Sequence, residues 1–299
     1  MNAAHVRFKV GSFNCIALRD GEFNYPVASF FAGVPLERVQ AELKLRGLPA
    51  THIATPYTCL YVDTGRHQVM IDAGAGSLSR EARQLFPDID HTTTQTGLVQ
   101  KSLMDAGVSP ADVDTVIITH AHPDHVGGTL DASGKLVFPN AKYYISRDEH
   151  DYWYNDSNLE RATHMMREMI HIARMNLDAL GDQLSILEGD VEVVPGMDAI
   201  NTPGHTPGHI ALSIKSDDAQ LIHVSDAVLH PLHLEQPDWV PVFDISPLHA
   251  AQSKQRIFDK AAGEHAMVFA HHFPPFPNLG YVQKQPVGWL WQPVDVSSL

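Results

Sequence analysis

The chain has 299 residues, 44% of them hydrophobic and 19% charged, with 35 acidic side chains against 21 basic ones and a formal net charge of −14. This is a globular composition, long enough to bury a sizeable core and unlike a disordered or fibrous chain. The negative field repels phosphate backbones and argues against a nucleic-acid enzyme, and no apolar run approaches the length of a membrane span.

The N-terminus, "MNAAHVRFKVGSF", lacks the basic start and apolar block of a secretory signal, so a cytoplasmic location is expected. "HVRFKV" and "FNCIALRDG" read as strands that break at glycine. "TCLYVDTGRHQVMIDAG" reads as a hairpin with its turn at Asp63–Gly65. Cys15 and Cys59 lie in these stretches and read as two buried thiols of a reducing compartment. "TGLVQKSLMDAG" spaces Leu98, Val99, Leu103 and Met104 as a helix and stops it at Gly107.

"SPADVDTVIITH" follows as a short helical turn and a buried strand, and "AKYYIS" as another strand. Residues 148–180 have helical texture, with Met165, Met166, Met169, Ile170, Ala173 and Leu177 along one stripe. Such a stripe is read as ordinary core or dimer-contact packing. Strands "EVVPGMDAINT", "IALSIKS" and "QLIHVSD", a helix over 246–262 and a last strand "HAMVFAHH" complete the pattern. Strands then helix, twice over, suggest two βα halves facing each other. The tail from residue 273, rich in Pro and Trp, is expected to be an extended wrap-around segment.

Nineteen histidines are an excess that needs a reason. In "ITHAHPDHVGG", His120, His122, Asp124 and His125 crowd the end of the buried strand "TVIIT". His120 and His122, two apart, can share one metal ion, and Asp124 and His125 can reach a second nearby. Imidazole with carboxylate suits zinc, and also manganese, iron or cobalt. Gly127 and Gly128 allow the close backbone approach such a loop requires. Further ligand-type residues stand at other strand ends: His205 and His209 in "GHTPGH", Asp226 after "QLIHVS", and His271 and His272 after "AMVFA". Strand ends are where open α/β layers bind ligands.

The motif H-x-H-x-D-H, with G-H-T-P-G-H, a later strand-end Asp and a C-terminal His, resembles the metallo-β-lactamase superfamily over residues 60–275. The resemblance implies an α/β fold, the four-layer αβ/βα sandwich, as one domain over 1–299 with a helical insertion at 148–180 and an extended tail at 273–299. It implies two divalent metal ions, zinc first. His120, His122 and His205 would hold one, Asp124, His125 and His272 the other, with Asp226 between them. "HHFPPFPNLG" is similar to the ligand segment of the methyl parathion hydrolase and lactonase-like branch, which selects His272, with His271 as the alternative. Asp72 and His209 would orient ligands. Leu229 stands where small quorum-quenching lactonases carry Tyr.

The family reading implies a metal-bridging hydroxide as nucleophile, with Asp124 as both ligand and proton shuttle. The expected substrates are small lactones, aryl esters or phosphotriesters, without nucleic-acid or membrane partners and with a homodimer as the assembly. An iron persulfide dioxygenase with one metal, a glyoxalase II-like thioesterase and a β-lactamase are the alternatives. Trp153, Phe273, Phe276, Trp289 and Trp291 are candidate pocket walls, and Tyr25 a candidate visitor from an N-terminal loop.

Overall fold

The computed structural model describes residues 3–76 and 96–295. The first two residues and the last four of the tail therefore lie outside the described residues. Among those described, two seven-stranded sheets face each other. The first runs β1 (His5–Val10), β2 (Phe13–Pro26), β3 (His52–Asp63), β4 (Gln68–Ile71), β5 (Thr115–Ile117), β6 (Lys142–Ser146) and β7 (Leu184–Leu187). Its early pairs are antiparallel, whereas β4 to β7 pair in parallel.

The second sheet holds β8 (Val191–Val194), β9 (Met197–Asn201), β10 (Ile210–Ser216), β11 (Ala219–His223), β12 (Met267–Phe269), β13 (Leu279–Lys284) and β14 (Trp289–Pro293) in reversed order. Only β11 and β12 pair in parallel there.

Period-two alternation sorts the side chains into layers. Cys15, Ala17, Val69, Ile71 and Ile117 point between the sheets, against Met197, Leu212, Ile214 and Leu221. Ile16, Leu18, Met70, Val116 and Ile118 point the other way, onto helices. Cys15 and Cys59 thus serve different core layers, and both are free thiols.

The helices are α1 (Val27–Phe30), α2 (Leu36–Leu45), α3 (Val99–Asp105), α4 (Pro123–Val126), α5 (Arg147–Tyr154), α6 (Asp156–Arg161), α7 (His164–Leu180), α8 (Leu232–Glu235) and α9 (Pro247–Gly263). α3, α5 and α7 cover the first sheet through Leu103, Trp153, Ile170, Ala173 and Leu177. α9 covers the second through Ile257, Phe258 and Ala261. This is the four-layer αβ/βα sandwich, and no described helix is long and apolar enough to cross a membrane.

Three expectations change. β2 does not break at Gly21, where the register shifts in a bulge and the strand runs on to Pro26, carrying Tyr25 toward the second half. The N-terminal third also contains α1 and α2, set by Pro26 and Pro35 at their starts. The tail is not merely extended. β13 and β14 pair antiparallel and continue the second sheet beyond β12, because Val282 of β13 and Trp289 of β14 find an apolar layer to bury in.

Candidate metal centre

The strand ends converge on one edge of the sandwich. Asp72 follows β4, His120 follows β5, Asp226 follows β11, and His271 and His272 follow β12. His205 lies in the turn between β9 and β10. After β5 the chain leaves the sheet, His122 is extended, and Pro123 opens α4, whose first turn carries Asp124 and His125. Gly127 and Gly128 press against the chain after β4; a Cβ on Gly128 would lie 2.0 Å from the Ala73 carbonyl oxygen. Gly204 similarly abuts the start of α9, where a Cβ would meet the Ala250 nitrogen at 2.0 Å.

His122 Nδ1 lies 3.1 Å from His120 Nε2 and 2.9 Å from His205 Nε2. Asp226 Oδ2 is 3.3 Å from His205 Nε2 and 3.8 Å from His120 Nε2. Its Oδ1 is 3.3 Å from His125 Nε2, and Oδ2 is also 3.3 Å from His272 Nε2. Asp124 Oδ2 lies 3.3 Å from His272 Nε2 and 3.8 Å from His125 Nε2. Two groups result, each able to offer its ligand atoms to one ion: His120, His122, His205 and Asp226; and Asp124, His125, His271 and His272.

The donors fit cations. His125 Nε2 and Asp226 Oδ1 are buried without a hydrogen-bond partner, although they face each other. Such orphaned groups are costly in a dry interior unless something positive joins them. Ring nitrogens of His120 and His205 crowd within 3.1 and 2.9 Å of His122 Nδ1, an arrangement that suits a coordination set around an ion.

The remaining ring nitrogens are held from behind. His125 Nδ1 meets Asp72 Oδ2 at 2.8 Å, and His205 Nδ1 meets Asp244 Oδ1 at 2.9 Å. His272 Nδ1 donates to the Pro56 carbonyl at 3.1 Å. His209 is not in either group; its Nε2 accepts from the Asp226 backbone N–H at 3.1 Å. Asp72 also accepts from Thr119 N–H and its hydroxyl, and these bonds hold its backbone at a left-handed φ of 60°.

His271 differs from its neighbour. Its ring packs against His125 with centroids 4.1 Å apart, and both its nitrogens are buried without a partner.

Burial holds His120 well below the usual imidazole range and His122 at about 3, so both keep free lone pairs. Burial acts in the same direction on His125, but Asp226, Asp72 and Asp124 outweigh it and raise that histidine. Burial would raise Asp226, yet His272 and His125 pull it well down. The carboxylates therefore create a field that favours positive charge at this point.

A pocket above the two groups is lined by Tyr25, Phe30, Met169, Leu229 and Phe243, with His122, Asp124, Asp226 and His272 at its floor. Tyr25 does reach the site, and its hydroxyl is hydrogen-bonded to that of Tyr57. The proposed aromatic walls fare less well. Trp153 stands behind His122, edge-on at 5.6 Å, and Phe273, Trp289 and Trp291 pack with α9. Phe276 packs between the sheets beneath Arg19. Met169 belongs both to the core and to the pocket. Sequence reasoning missed Asp244, Phe243 and Phe30, which lie in a loop and a one-turn helix without periodicity; only the neighbouring Pro and Asp residues hinted at a structured turn.

The metallo-beta-lactamase superfamily profile matches residues 53–272. An N-acyl homoserine lactonase from Bacillus thuringiensis is 27% identical over 231 residues, covering 75% of this chain and 84% of its own. The lactonase AttM from Rhizobium radiobacter is 29% identical over 175 residues, 56% of this chain and 61% of its own. Among solved structures, the dizinc quorum-quenching lactonase AidC, in complex with a product, superposes with a TM-score of 0.86 at 27% identity, covering 98% of this chain and 99% of its own. These homologues are hydrolases of the lactonase branch, and with a profile match spanning more than half its length this chain belongs to the metallo-beta-lactamase superfamily.

Proposed function

We propose that the chain is a dinuclear, metal-dependent hydrolase that opens the ring of lactones, with N-acyl homoserine lactones as the class its homologues suggest. His120, His122 and His205 hold one ion, Asp124, His125 and His272 the other, and Asp226 lies between them. The observation that carries this reading is the double convergence on Asp226, whose Oδ1 is left with buried His125 Nε2 and no hydrogen bond. His272 is favoured over His271 because its Nε2 lies 3.3 Å from both carboxylates. Zinc suits this nitrogen and carboxylate set and is the metal named for AidC.

When bound, such a pair would supply Lewis acidity and a water ionised near neutral pH as the nucleophile. The chain's own residues do the rest. Tyr25, Phe30, Met169, Leu229 and Phe243 take the apolar part of the substrate and exclude bulk water. Ring opening adds a hydroxyl to the carbonyl carbon, breaks the ring C–O bond and leaves an alkoxide that needs a proton. Asp124 belongs to one metal group and also lines the pocket, so it can hold the water's proton and deliver it there.

The test is metal quantification followed by assays on lactones, aryl esters, phosphotriesters and β-lactams. About two zinc ions per chain and lactone hydrolysis lost on chelation are expected. One iron per chain with oxygen consumption on a persulfide would overturn the reading.

A further inference from the structure

Glu149, on the first turn of α5, is fully buried and forms no ion pair with a described residue. Its carboxylate instead accepts from four donors. Oε1 takes the Ala121 backbone N–H at 2.9 Å and the Trp153 indole N–H at 2.6 Å. Oε2 takes the Thr206 hydroxyl at 2.5 Å and the Gly208 backbone N–H at 3.1 Å. Ala121 lies between His120 and His122, and Thr206 follows His205. The two oxygens thus grip two loops that come from different sheets. Trp153, held by the same carboxylate, backs the His122 ring.

The fit is tight. A Cβ on Gly208 would lie 1.9 Å from the Glu149 nitrogen, so the second glycine of "GHTPGH" is what admits α5. Ser146 Oγ caps α5 by accepting from Glu149 N–H and also donates to the Gly208 carbonyl at 2.5 Å. Burying a lone carboxylate is costly. Burial pushes the Glu149 carboxyl up, and its four donors pull it back. An apolar side chain here would instead strand those donors.

We propose that Glu149 is a positioning residue that staples the "HAHPDH" loop to the "GHTPGH" loop and so sets the spacing of His120, His122 and His205. This rests on the reading of those histidines as one ion's ligands. The other group is tied elsewhere: His125 to Asp72, His272 to Pro56. Glu149 reaches Asp124 and His125 only through the loop backbone, so its loss acts first on the site of His120, His122 and His205.

The experiment is zinc titration of the metal-free protein against a competing chelator, with the d–d spectrum of the cobalt form. Glu149→Gln keeps one acceptor but turns an amide toward donors, releasing one loop. It is expected to weaken the His120–His122–His205 site by roughly 10- to 100-fold, with a changed cobalt spectrum, and the other site by less. Thr206→Val, which deletes a single bond and is the milder variant should Glu149→Gln not fold, is expected to weaken the same site less. Thr206→Ser is expected to restore it. Wild-type affinity at both sites, or equal weakening at both in step with a lowered melting temperature, would overturn the proposal. Hydrogen exchange at the Ala121 and Gly208 amides tests the staple whether or not ions bind. Loss of protection at one or both in Glu149→Gln supports it, and unchanged protection at both overturns it. A wild-type chain that binds no metal, together with that loss in Glu149→Gln, would sink the metal reading and leave the staple.

Discussion

His205 directs Nδ1 to the Asp244 carboxylate at 2.9 Å while its Nε2 faces His122 Nδ1 at 2.9 Å. Donation from Nδ1 leaves the Nε2 lone pair for a cation and fixes the ring in its plane. Asp72 does the same for His125. Asp244→Ala should lower zinc affinity at the His120–His122–His205 site by roughly 10- to 100-fold, measured by chelator competition. Unchanged affinity would remove Asp244 from that role.

Asp226 stands 3.3 Å from His125, His205 and His272 alike. Asp226→Ala should cost lactone hydrolysis at least about a hundredfold and reduce bound metal. A variant with full turnover and full metal content would contradict the two-ion assignment.

The metal-free protein should respond to pH in a definite sense. Burial would lower His205 and His272, but the carboxylates of Asp226, Asp244 and Asp124 raise both from 6.5 to about 9. A raised value gives stability that is fully present below the unfolded pKa and lost as pH rises through the folded one. The melting temperature without metal should therefore fall between pH 6.5 and about 9. Zinc binding, which displaces those protons, should strengthen over the same window. Melting curves with and without zinc that move in parallel would refute this coupling.

Phe243 walls the pocket together with Met169 and Leu229, without touching the reacting groups in the proposed scheme. Phe243→Ala should raise KM for long-chain acyl lactones about tenfold and leave kcat nearly unchanged, as expected for uniform binding. An equal fall in kcat would place Phe243 in the chemistry instead.

Gly208→Ala forces a methyl group onto the Glu149 backbone. Overpacking of this kind costs ~1–3 kcal/mol, so thermal denaturation should show a clearly lowered melting temperature. A wild-type midpoint would mean that the junction of α5 with the loop yields easily.

The strands, most helices and the crowding of "HAHPDH" and "GHTPGH" were legible because they are local. Alternation marks a strand, 3.6-residue spacing marks a helix, and ligand-type residues at strand ends need no knowledge of the rest of the chain. The last strands, β13 and β14, were not legible, since Pro and Gly break the pattern and only an existing sheet edge gives them partners. Adjacent His271 and His272 are alike in sequence. The folded path after β12 turns one toward Asp124 and Asp226 and the other against His125. Glu149 and Asp244 carry no motif at all, and they matter because two sheets close face to face and bring a helix start and a loop onto histidines far away in the chain. Sequence alone determined which chemistry the strand ends carry. Tertiary structure decided which side chains orient it and which wall the pocket, because hydrogen bonds and apolar contacts between distant segments exist only once the layers have packed.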